Sequence, residues 1–127
     1  MTNSTTSNPC HRTILIVEDD REIREAMQEL LELEGYQVAT ACNGQEAIDL
    51  LRSTETQPRL VLLDMMMPVM DGMGFLNILT NDTILAAIPV YIHSANNDFS
   101  NVKGARGLLR KPASYEAIIK LVESYCD

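Results

Sequence analysis

Apolar positions along this chain fall into two patterns, short unbroken aliphatic runs and longer stretches with helical spacing. Ile14-Leu15-Ile16-Val17 and Leu60-Val61-Leu62-Leu63 are unbroken runs, the pattern of strands buried on both faces of a parallel sheet. Pro89 to Ser94 predicts a fourth strand and Gly107 to Lys111 a short fifth, stopped by Pro112. Tyr36 to Ala41 carries Gln37 and Thr40 among its apolar residues, which suits an edge strand. Ile23, Ala26, Met27, Leu30 and Leu31 recur on one helical face, and Gly35 is placed to end that helix. Asn43-Gly44-Gln45-Glu46 resembles a capping box with Asn in place of Ser or Thr, opening a helix that presents Ala47, Ile48 and Leu51. Phe75, Leu76, Ile78 and Leu79 mark a third helix that loosens near Asn81-Asp82. Ser114 caps a last one with Ile118, Leu121, Val122 and Tyr125 facing inward. From Ser94 to Gly107 the chain is polar, with Phe99 and Val102 its only large apolar residues, so that stretch supports a turn or two of helix at most.

Strand and helix alternate five times, which predicts an α/β domain: a doubly wound parallel sheet, covered on both faces, with right-handed crossovers. The chain has 127 residues, 46% of them hydrophobic. That suits a single domain burying roughly two thirds of its unfolded surface. Residues 1–12 are Ser-, Thr- and Asn-rich and predict a disordered tail, leaving 13–127 as the domain. The net charge of −8 argues against direct nucleic-acid binding. Three widely spaced cysteines fit a reduced, cytoplasmic chain better than a disulfide framework or a zinc site. No run is long and apolar enough for membrane insertion, and the amino-terminal stretch lacks the apolar core of a signal peptide.

In sheets of this kind ligands bind beyond the carboxyl ends of the strands. Glu18 and Asp19 end the first strand, Asp64 the third, Ser94 the fourth and Lys111 the fifth. Asp64 alone reads equally well as a turn or helix-capping residue. If the first and third strands are neighbours, three carboxylates converge, and such charges raise one another's pKa unless a cation lies among them. An oxygen-only ligand set suits Mg²⁺. With Lys111 and Ser94 as donors for an anion, the set describes a phosphoryl-transfer site with Asp64 as acceptor.

The chain resembles the receiver domains of bacterial two-component response regulators, of the single-domain chemotaxis type, from Thr13 to about Tyr125. The resemblance rests on Ile16-Val17-Glu18-Asp19-Asp20 followed by Arg24, on Asp64-Met65-Met66-Met67-Pro68-Val69-Met70-Asp71-Gly72, on Ser94-Ala95 and on Lys111-Pro112. It implies a flavodoxin-like sheet of order 2-1-3-4-5. It also implies that Asp64 accepts a phosphoryl group from a sensor histidine kinase or histidine phosphotransfer protein, and that output passes to a downstream protein effector. Asp19, Asp64 and the backbone carbonyl of Met66 would ligate Mg²⁺, and Glu18 would act through a water. Lys111 and the Ser94 hydroxyl would bond phosphoryl oxygens, and the Lys111-Pro112 peptide would be cis. Asp20 would cap the first helix. Such a protein is not an enzyme toward other substrates; it catalyses only its own phosphorylation and dephosphorylation.

Two departures fall on the face through which such domains usually signal. The aromatic residue usual three positions before the lysine is Leu108, and the Ser94 to Lys111 stretch is short by roughly one helical turn, so the fourth helix is expected to be short or missing. The alternative reading is therefore a receiver-like binding module whose output is independent of phosphorylation. Five methionines between Met65 and Met73 are expected to pack rather than bind copper, and His93 is expected in the core. Apolar Met66, two residues beyond Asp64, is expected to slow loss of the phosphoryl group.

Overall fold

The computed structural model describes residues 13–53 and 57–126, so the tail expected over 1–12 lies outside the described residues. Thr13–Val17 (β1), Gln37–Ala41 (β2), Leu60–Leu63 (β3), Val90–Ser94 (β4) and Gly107–Arg110 (β5) form one sheet. All pairings are parallel and the order is β2-β1-β3-β4-β5. Four α-helices among the described residues accompany them: Arg21–Leu33 (α1), Gly44–Ser53 (α2), Gly72–Thr80 (α3) and Tyr115–Cys126 (α4).

Side-chain alternation along the strands divides the core into two layers. On one face Leu15, Val17, Val61, Leu63, Val90 and Ile92 meet Ala47, Ile48 and Leu51 of α2 and Phe75, Leu76 and Leu79 of α3. On the other, Ile14, Ile16, Leu60 and Leu62 meet Met27 and Leu31 of α1 and Ile118, Ile119 and Val122 of α4. Both faces of β1 and β3 are thus dry, which is why their sequences show no polar alternation. Each large aliphatic side chain buried there contributes about 1.5–3 kcal/mol. β2, at the edge, exposes Gln37.

The ends of the helices follow the capping signals in the sequence. Asp20 Oδ1 accepts the Ile23 N–H at 3.1 Å and opens α1. Its other end closes on Gly35, at φ 92°, with the N–H groups of Gly35 and Tyr36 donating to Glu32 O and Leu31 O. Only a residue without a Cβ takes that left-handed turn at no cost. Asn43 Oδ1 accepts the Glu46 N–H at 2.8 Å, while Glu46 Oε1 accepts from Cys42, one residue earlier than a regular capping box would have it. Asp71 Oδ1 accepts the Gly74 N–H at 2.9 Å at the start of α3, and Ser114 Oγ the Ala117 N–H at 3.0 Å at the start of α4.

Between β4 and β5 the described residues contain one 3₁₀ turn, Asn97–Phe99, and no α-helix. Asn96 Oδ1 takes the Asp98 N–H at 2.9 Å, a local bond that competes with helical ones. Phe99 and Val102 still anchor the segment, half-buried against the α2–α3 layer. No helix among the described residues is long and apolar enough to cross a membrane.

Candidate functional site

Register brings the acidic strand ends together. Val17 pairs with Leu63, so Glu18 and Asp64 are the first residues past the ladder on adjacent strands. Both stay tied to it: the Asp64 N–H donates to Val17 O at 2.9 Å and the Glu18 N–H to Ala41 O at 3.0 Å. Glu18 is 2% exposed and Asp64 6%, while Asp19 sits exposed at the rim. One carboxylate oxygen from each of these three residues lies within 4.8 Å of the others. Asp20 stays outside this cluster, its carboxylate engaged as the cap of α1.

Lys111 faces the acids from the end of β5. Its N–H donates to Ser94 O at 3.0 Å, and the Lys111-Pro112 peptide is cis. The ammonium Nζ lies 2.8 Å from Glu18 Oε1 and 3.7 Å from Asp64 Oδ1. Ser94 is buried beside it, and its Oγ accepts the Asn96 N–H at 3.0 Å. Met66, in the loop beyond Asp64, donates its N–H to Asp64 Oδ1 at 3.3 Å and leaves its side chain 70% exposed. Arg24 of α1 donates from Nη1 to the carbonyl oxygens of Glu18 at 2.9 Å and Asp19 at 3.3 Å.

Three carboxylates against a single ammonium leave the pocket short of positive charge. Burial, above all, raises the Asp64 carboxyl, from the ordinary carboxylate range to about 7. A hydrogen bond with Asp19 and the charge of Glu18 raise it further, and the Lys111 charge opposes them. A pocket in which one carboxyl holds its proton to near neutrality, and whose clustered ligand atoms are all carboxylate oxygens, fits a hard divalent cation such as Mg²⁺.

The sequence matches the model of the response regulator receiver domain over residues 14–123. The chain belongs to the response regulator receiver family. It is 31% identical over 119 residues to the polar-differentiation response regulator DivK of Brucella anthropi, covering 90% of this chain and 95% of that protein. Against the protein PilH of Pseudomonas aeruginosa it is 33% identical over 116 residues, covering 87% and 94% of the two. The chemotaxis response regulator CheY4 of Vibrio cholerae superposes with a TM-score of 0.77 at 26% identity, covering 89% of this chain and 97% of that one.

In this receiver the methionines divide. Met65 is buried and Met67 and Met70 pack half-buried on the core, as expected, whereas Met66 and Met73 are 70% and 52% exposed. His93 is buried on the α1–α4 side; burial first and the Lys111 charge second depress it to about 4, so it is neutral at physiological pH. A groove of about 620 Å³ passes His93 between α1 and α4, lined also by Ile23, Leu30, Pro112, Ala113 and Tyr115. Sequence inspection missed this groove because its walls come from segments far apart in the chain. It missed the Arg24 contacts for a different reason: Arg24 is visible in the motif, but its partners are backbone atoms.

Proposed function

We propose that residues 13–127 form a cytoplasmic receiver that takes a phosphoryl group onto Asp64 in a Mg²⁺-dependent reaction. The donor is a sensor histidine kinase or histidine phosphotransfer protein, and the phosphorylated form signals to a downstream protein effector. The observation that carries this reading is the meeting of Glu18, Asp19 and Asp64 oxygens within 4.8 Å, with the Lys111 ammonium 3.7 Å from Asp64.

The chemistry follows from these positions. A carboxylate oxygen of Asp64 attacks phosphorus in line with the departing histidine nitrogen; the N–P bond breaks as the O–P bond forms. Mg²⁺, held by Asp19, Asp64 and the Met66 carbonyl with Glu18 acting through a water, would supply charge neutralisation for the acids and the phosphoryl oxygens. Lys111 then exchanges its pairing with Glu18 for a phosphoryl oxygen. The Ser94 hydroxyl, released from the Asn96 N–H, bonds another. The hydroxyl movement breaks a contact at the entrance to the Asn97–Phe99 turn, so the site and that segment are mechanically joined.

Incubation with acetyl phosphate and Mg²⁺ tests this reading. The intact protein will gain the mass of one phosphoryl group, the gain will need Mg²⁺, and Asp64→Asn will show none. No gain in the wild type would reject the phosphoacceptor role. Once phosphorylated, Met66→Asn will dephosphorylate several-fold faster than wild type, followed by loss of the same mass, because an amide can orient a water that the thioether repels. Equal lifetimes would clear Met66 of that role.

A second reading, a binding module whose output ignores phosphorylation, draws on Leu108 and on the single 3₁₀ turn where a fourth helix is usual. Under it, partner binding would be equal for wild type and Asp64→Asn with or without acetyl phosphate.

A further inference from the structure

We infer that Arg24 is a positioning residue for the metal-binding acids, its guanidinium pinning the two consecutive carbonyls of Glu18 and Asp19 so that their carboxylates stay turned toward Asp64. This inference rests on the Mg²⁺ site proposed above. Glu18 and Asp19 lie on the three-residue link between β1 and α1, where the backbone has left the ladder and not yet joined the helix. Their carboxylates repel each other and Asp64, and a link this short would relieve the repulsion by turning its peptide planes. Arg24 Nη1 reaches back across the first turn of α1 to Glu18 O at 2.9 Å and Asp19 O at 3.3 Å. The Glu18 carboxylate is braced as well, Oε2 accepting the Asp20 N–H at 3.2 Å. Holding those carbonyls fixes the peptide planes from which the Glu18 and Asp19 side chains leave the backbone.

The requirements of the helix do not account for this arginine. A cation near a helix N-terminus opposes the macrodipole, and alanine there would favour the helix slightly more. Arg21, one turn earlier, is solvent-exposed and paired with Glu25 at 3.0 Å, whereas Arg24 is half-buried with both contacts on backbone oxygen. The bonds are charge-assisted, the stronger class of hydrogen bond, and they also place a positive charge behind the acids without occupying a cation's position among them.

Calorimetric titration of MgCl₂ into the full unphosphorylated chain tests the assignment, with thermal midpoints taken in Mg²⁺-free buffer. Arg24→Ala will bind Mg²⁺ about tenfold or more weakly, the scale on which partners that orient metal ligands act. Arg24→Lys, which keeps a charged donor near the carbonyls, will recover part of the loss. A merely structural role would lower the midpoint and leave the affinity unchanged in both variants, overturning the inference. Should Arg24→Ala fail to fold, Arg24→Gln with wild-type affinity would overturn it equally. If the wild type itself binds no Mg²⁺ at millimolar concentration, the proposed function and this inference fall together; if the wild type binds and Arg24→Ala binds as tightly, only the inference falls.

Discussion

Asp64→Asn will make the Mg²⁺-free protein more stable at pH 8, by about 2–4 kcal/mol in urea unfolding, while abolishing phosphorylation. The sign follows from the pocket. Asp64 is 6% exposed, with Glu18 and Asp19 beside it and only Lys111 opposite. In the folded protein its carboxyl keeps a proton until about pH 7, whereas in the unfolded chain it loses it near 4. Between those values the folded state binds more protons, so the Asp64 contribution to stability is favourable at low pH and is lost as pH rises through the window. Above it the wild type carries a carboxylate that the fold disfavours; the asparagine amide is neutral and can donate to the neighbouring acids.

Other groups titrate over the same range, and His93 runs the opposite way: its depressed pKa removes stability as pH falls from about 6.5 toward 4. The difference between wild type and Asp64→Asn cancels such shared terms. That difference will be large at pH 8, small at pH 5, and reduced at pH 8 by saturating Mg²⁺, which stabilises the protein that has the full ligand set. A wild type unaffected by the substitution at pH 8 would contradict the crowded-acid description.

Gly72→Ala will damage the same site from behind. A Cβ at position 72 would stand 2.4 Å from Met65 Sδ, 2.8 Å from Met65 Cα and 3.0 Å from Asp64 O. The sulfur can swing away, but the other two atoms are backbone of the loop that carries Asp64 and Met66. The Gly72 N–H also donates to Met65 O at 3.1 Å, so α3 and this loop are already in backbone contact. Accommodation means moving the helix start or the loop by several tenths of an ångström. We expect a loss of about 1–3 kcal/mol, the usual cost of overpacking. We also expect acetyl phosphate labelling slowed about 10–100-fold, since small displacements of reacting groups are that costly. Unchanged stability together with unchanged labelling would show that the helix start yields freely.

The two substitutions separate what Asp64 costs from what places it. One removes the charge and leaves the backbone; the other leaves the charge and moves the backbone. Stability should rise in the first and fall in the second while labelling suffers in both, a combination that general misfolding would not produce.

Much of this was legible in the chain itself, for a physical reason. Burial on both sides of a strand forces an unbroken aliphatic run, so β1 and β3 announce themselves, and the polar residue that ends each run must be where the strand leaves the core. Asp20, Gly35, Asn43 and Ser114 act on atoms within five residues, and their roles read directly from local order. The short fourth-helix region is equally local, because a stretch of Asn, Asp and Ser with two apolar anchors has too little to bury. That Asp64 joins an acidic cluster, where Asp71 does not, was another matter: Asp71, seven positions on, is also an Asp at a turn and caps a helix. Only the pairing of β1 with β3 separates them, since it brings Glu18 alongside Asp64 and leaves Asp71 outside. The same holds for the Lys111 ion pairs, the Arg24 contacts on backbone oxygen and the groove past His93. Sequence determines which segments become strands, helices and caps, because those depend on neighbours a few residues away; distances among strand ends, and hence the charge balance of the pocket, depend on long-range pairing and exist only once the sheet has closed.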